Sequence, residues 1–82
     1  MKSAEVSELI SAIVSPLITM PDELTIDTVE DARFTTYNLS LNRKDIGRVI
    51  GKQGRVAQAI RTLIYGIRLD NGKRIRLNIV DK

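Results

Sequence analysis

Hydrophobic positions near the start of the chain recur at three- and four-residue steps: Val6, Leu9, Ile10, Ile13, Val14, Leu17 and Ile18. That spacing predicts an amphipathic helix with one apolar stripe. Ser3 is its expected cap, and Glu5 suits the positive end of the helix dipole. Pro16 cannot donate the next helical hydrogen bond, so the helix ends near Ser15 or kinks there with Leu17 and Ile18 still packed. Met20-Pro21-Asp22 closes the element. Its polar face lacks basic residues, which favours core packing over a membrane-surface helix.

The period then changes. Leu24 to Val29 is rich in β-branched residues and predicts a strand of imperfect phase. After the polar connection Glu30 to Arg33, Phe34 to Leu41 alternates, with Tyr37, Leu39 and Leu41 set against Thr36, Asn38 and Ser40. A hairpin with the Tyr37 face inward follows. Phe34 and Tyr37 could serve as a base-stacking platform, but aromatic residues make up only 4% of the chain, which favours core packing for both.

Two further helices are expected on either side of a glycine turn. Asn42 caps the first, with Asp45 three residues on in a capping-box relation, and Ile46, Val49 and Ile50 supply its buried side. Val56, Ala59, Ile60, Leu63 and Ile64 form the apolar arc of the second, while Arg55, Gln58, Arg61 and Thr62 face out. Gly66 is a natural terminator. Asp70-Asn71-Gly72 is a turn signal that could close a short hairpin from Ile67 to Leu69. Ile75, Leu77 and Ile79 alternate with Arg74, Arg76 and Asn78 in a final strand. The order is α-β-β-α-α-β in one domain over residues 1–82, an α+β fold without repeats or linkers.

Between the paired helices lie Gly51, Lys52, Gln53 and Gly54. Two glycines let the backbone turn with nothing bulky above it, and the helix that follows points unpaired N–H groups and its positive dipole end at the same spot. An anion site is expected there. Around it stand Arg43, Lys44, Arg48, Lys52, Arg55 and Arg61, opposed within the stretch only by Asp45.

Overall charge sharpens this reading. The formal net charge is +3, but residues 1–42 hold two basic against seven acidic residues and residues 43–82 hold eleven against three. The C-terminal half therefore suits a negative partner, nucleic acid first and an acidic protein surface second. The absence of histidine and cysteine removes the commonest general base, the commonest metal ligands and all disulfide chemistry. No enzyme constellation remains, no cofactor is implied, and no apolar run approaches the roughly 18 residues of a membrane helix. A cytoplasmic, non-enzymatic protein is expected.

The turn is not a nucleotide phosphate loop. Gly47 to Gly51 is one residue too short, and Lys52 is followed by Gln53 where a hydroxyl would hold magnesium. Nor is there a G-x-G-x-x-G fingerprint, and the turn follows a helix and not a strand. The run V-I-G-K-Q-G-R from Val49 to Arg55 does resemble the G-x-x-G signature of KH domains, which clamp about four nucleotides of single-stranded nucleic acid. The element order resembles the type II arrangement, and I-G-R-V-I-G-K-Q-G-R at 46–55 with A-I-R-T-L at 59–63 is similar to the KhpA family of small bacterial RNA-binding proteins.

The resemblance covers nearly the whole chain and implies a three-stranded sheet covered on one face by three helices. It also implies an RNA chaperone that pairs with a larger KH-containing partner, KhpB, and influences cell length and peptidoglycan homeostasis. Ala57 departs from the wider KH pattern, in which a larger aliphatic residue is common; Val56 and Ile60 are expected to carry the packing instead.

The residues expected to meet RNA are Ile46, Gly47, Arg48, Ile50, Gly51, Lys52, Gln53, Gly54, Arg55 and Arg61, with Gly47 as a smooth floor and Ile46 and Ile50 as its apolar wall. RNA and single-stranded DNA stay open, as does a protein-interaction module whose basic face docks an acidic partner. The arc from Val56 to Ile67 spans roughly 160°, more than one packed face needs. Its edge at Leu63, Ile64 and Ile67 is the expected interface of a homodimer or heterodimer, unless residues 66–73 fold back over Leu63 and Ile64.

Overall fold

The computed structural model describes residues 1–81. Helix α1 spans Ser3–Val14, strands β1 and β2 span Thr25–Glu30 and Phe34–Leu41, helices α2 and α3 span Arg43–Ile50 and Arg55–Tyr65, and strand β3 spans Arg74–Asp81. The sheet order is β1-β2-β3, antiparallel between β1 and β2 and parallel between β2 and β3. The α-β-β-α-α-β order and the mixed three-stranded sheet are those of a type II KH fold.

Strand β2 is the centre of the molecule. Thr35, Tyr37, Leu39 and Leu41 are buried on one face, while Phe34, Thr36, Asn38 and Ser40 are half-buried on the other. Against the buried face pack Val6, Ile10 and Val14 of α1, Val49 of α2, Ile60 and Ile64 of α3, and Ile75 and Leu77 of β3. Each fully buried aliphatic side chain contributes about 1.5–3 kcal/mol. The Tyr37 hydroxyl donates to the Ser3 carbonyl at 2.9 Å and ties α1 to the sheet, and burial pushes the Tyr37 phenol pKa up.

Several expectations are corrected by the packing. Lys2, not Ser3, precedes the first helical residue, and the Glu5 carboxylate accepts from the Lys2 N–H at 2.9 Å. At Pro16 the α-helix tightens into a 3₁₀ turn over Ser15–Leu17, which buries Ile18 and leaves Leu17 exposed. Strand β1 begins at Thr25 because the Leu24 N–H closes a 3₁₀ turn on the Pro21 carbonyl and is not free to join the ladder. Its imperfect phase has a cause: as an edge strand it buries only Ile26 in part and leaves Val29 exposed. Phe34, expected in the core, lies on the outer face of β2.

The phase of α3 differs too. Ala57, Ile60 and Ile64 point inward, Val56 is half-buried and Ala59 is exposed. Ala57 is buried, while Ile60 lies in the core cluster and the half-buried Val56 packs against it. Among the described residues no short hairpin forms from Ile67 to Leu69; the segment after α3 instead buries Leu69, half-buries Ile67, and turns at Gly72, whose N–H donates to the Leu69 carbonyl. The Met1 amino group holds this segment by donating to the Arg68 carbonyl at 2.8 Å and to Asp70 Oδ1 at 3.1 Å.

Candidate nucleic-acid interface

Asn42 caps α2 as expected, its side chain accepting from the Lys44 N–H at 2.9 Å. Asp45 does not complete a capping box. It is fully buried and accepts from the Thr19 N–H at 2.9 Å, the Thr19 hydroxyl at 2.8 Å and the Met20 N–H at 3.0 Å. These bonds, the one from the Thr19 N–H foremost, hold its pKa below the usual carboxylate value against the opposing effect of burial. The chain after α1 is thereby pinned to α2, and the Arg48 guanidinium is tethered 3.6 Å from Asp45 Oδ1 while its side chain stays largely exposed.

Helix α2 ends where Gly51 adopts φ 76°, ψ 178°, a conformation open essentially to glycine alone. A Cβ at Gly51 would also collide with the Val56 side chain and reach 3.0 Å from its backbone nitrogen. Turn and helix therefore approach more closely than any other residue permits. Lys52–Gly54 forms a 3₁₀ turn in which Gln53 takes φ 58° and Gly54 φ 74°. A left-handed glutamine costs of order 1–3 kcal/mol, and strain of that kind clusters at ligand-binding turns. Among the described residues no side chain caps the N-terminus of α3.

The turn therefore brings together most of the expected residues. Lys52, Gln53 and Arg55 are exposed, and among the described residues Lys52 and Arg55 have no ion-pair partner. Gly47 faces open space with no atom within 4 Å of where a Cβ would stand, and the half-buried Ile46 and Ile50 flank it. Gly54 is equally open above. The result is an open floor at Gly47, flanked by two apolar side chains, beside an exposed basic turn. A sugar-phosphate backbone can approach such a turn while a base lies on the floor.

Arg61 is not part of this group. It is half-buried, and its Nε donates to the Leu77 carbonyl at 3.4 Å on the free edge of β3. The helical phase that turns Ala57 and Ile60 inward carries Arg61 to the sheet edge. Of the expected contact edge on α3, Leu63 is 64% exposed, Ile67 is half-buried and Ile64 is entirely buried, so residues 66–73 leave Leu63 uncovered and Ile64 offers no surface. Asp45 is the positioning residue that sequence reasoning assigned to the wrong bond. Its signal was there, as the lone acid in a basic stretch.

The KhpA/KhpB KH-domain family matches residues 7–79. The chain is 50% identical over 78 residues to the RNA-binding protein KhpA of Lactiplantibacillus plantarum, covering 95% of this chain and 92% of that one. It is 50% identical over 74 residues to that of Listeria monocytogenes, covering 90% and 97%. To the Bacillus subtilis protein of the same name it is 36% identical over 81 residues, covering 99% and 100%. No solved structure gives a significant match. With the fold, the helix-turn-helix geometry around Gly51–Gly54 and these relatives in agreement, the chain belongs to the KhpA/KhpB family of KH-domain proteins.

Proposed function

We propose that this protein binds single-stranded RNA, without catalysis, through the turn Gly51–Gly54 and the floor formed by Ile46, Gly47 and Ile50. One observation carries the reading: a turn whose conformation requires glycine, open above Gly47 and Gly54, stands among Arg48, Lys52 and Arg55. The names of its relatives support RNA as the ligand. Phosphates lie against the turn and the basic side chains, and bases are read on the floor through their edges. Membership of the family extends the proposal to a cytoplasmic RNA chaperone that acts in control of cell length and peptidoglycan homeostasis.

Replacing Lys52 and Gln53 together with aspartate tests it. Both side chains are exposed, so the fold is retained, while two negative charges repel phosphate directly. The expected result is a native circular dichroism spectrum with RNA affinity lowered by on the order of tenfold or more. Unchanged affinity in the folded variant would remove the turn from the mechanism. Loss of an acidic protein partner with RNA binding retained would favour the interaction-module reading.

Assembly is the second part of the proposal, favoured by the exposure of Leu63. A domain that holds about four nucleotides gains apparent affinity when two sites are joined. A second copy, or a larger KH-containing partner of the KhpB type, packs against Leu63 and the neighbouring part of Ile67.

A further inference from the structure

A second basic surface lies at the opposite end of α3; the RNA contacts proposed above do not use it, and it shares only Ile67 with the proposed assembly face. Between the end of α3, the segment that follows it and the first half of β3 is a cleft of about 960 Å³ lined by Phe34, Tyr65, Arg68, Lys73, Arg74 and Arg76, among others. It contains no residue of the glycine turn. A smaller depression of about 540 Å³ continues from it past Ala32 and Arg33 and shares Phe34, Lys73 and Arg74. The eleven residues of α3 separate this region from the turn by about 16 Å.

We infer that this cleft is a second RNA-contact site, which takes the continuation of a strand whose other nucleotides occupy the glycine turn. The inference rests on the RNA-binding reading above. The Arg76 Cζ lies 3.6 Å from the centroid of the Phe34 ring. Held over the ring in this way, the exposed Arg76 guanidinium can stack on a base and offer its N–H groups to a phosphate. Tyr65, half exposed, stands at the same cleft with its hydroxyl accepting from the Leu77 N–H at 3.4 Å, which fixes the ring position.

The charges point the same way. Arg68 and Arg74 are exposed and have no ion-pair partner among the described residues. The nearby carboxylates are already engaged. Asp31 accepts from the Arg33 and Phe34 N–H groups, Glu30 pairs with Lys73 at 3.8 Å, and Asp70 holds the Met1 amino group. An acidic protein surface would be served by the arginines alone. The aromatic rings beside them, and a guanidinium placed over one, match the flat faces of bases.

The test compares RNAs of about four and about twelve nucleotides by fluorescence anisotropy across a range of salt concentrations. Arg74→Gln with Arg76→Gln changes only exposed side chains and is checked for folding by circular dichroism. The expected result is a loss of roughly tenfold on the longer RNA, a salt dependence flatter by about one to two phosphate contacts, and affinity for the shorter RNA within about twofold of wild type. Phe34→Leu keeps the charges, so it weakens the longer RNA by a few-fold with an unchanged salt slope. No loss on the longer RNA, or equal losses on both lengths, overturns the second site. Where the shorter RNA binds too weakly to compare, the affinity and salt slope on the longer one decide. The Lys52 and Gln53 variant serves as the separate control: full retention of binding by that variant defeats the glycine turn, whatever the arginine variant does.

Discussion

Asp45 is a fully buried carboxylate that ties two parts of the chain together. Its three hydrogen bonds come from Thr19 and Met20, and with its pKa depressed in the folded protein it binds a proton less readily there than in the unfolded chain. Below the ordinary value of 3.8 the unfolded state therefore takes up more protons, so stability is complete above that pH and falls as the pH drops toward the folded value. Asp31, lowered chiefly by the Arg33 N–H and then the Phe34 N–H, adds in the same direction. Asp45→Asn would place an amide donor against the Thr19 or Met20 N–H. A lower melting temperature at neutral pH, by on the order of 5 °C or more, is expected, with a shallower acid dependence; thermal melts from pH 7 to 2.5 measure both. An unchanged melting temperature would mean that these bonds do not hold the loop.

At the scale of elements, α2, the turn and α3 behave as one unit, and the phase of α3 sorts its arginines. Arg55 opens the helix beside the turn, whereas Arg61 faces the edge of β3 and, with Tyr65, occupies both outward backbone groups of Leu77. Unpaired strand edges invite pairing with other chains, and these two side chains blunt this one. Arg55→Ala is expected to weaken RNA several-fold across sequences and to flatten the salt dependence by about one contact, while Arg61→Ala lowers stability and leaves the salt slope nearly unchanged. Affinity and melting measured on both variants check the contrast. Equal affinity losses would return Arg61 to the interface.

For the whole molecule, charge is divided between the two halves of the sequence and the fold gathers the basic half on α2, α3 and β3. Leu63 interrupts that polar surface. Since it is 64% exposed, Leu63→Asp is expected to leave the fold intact, to disrupt the proposed assembly and to weaken RNA binding by roughly tenfold through loss of the partner's RNA site. Sedimentation of wild type and variant at micromolar concentration checks it. A wild-type protein that sediments as a monomer with no KH partner would defeat assembly through this face.

The sequence by itself determined the order of elements, the inward face of β2, the place of the glycine turn and the basic character around it. These follow from periodicity and backbone preference, which act between residues a few positions apart. Only the tertiary structure decided that Ala57 turns inward and Ala59 outward, that Asp45 serves Thr19 from 26 positions away, and that Arg61 reaches Leu77 across 16. It alone laid Arg76 over Phe34. Each of these depends on where elements distant in sequence come to rest, and a small rotation of one helix against the sheet is enough to exchange a core position for an exposed one.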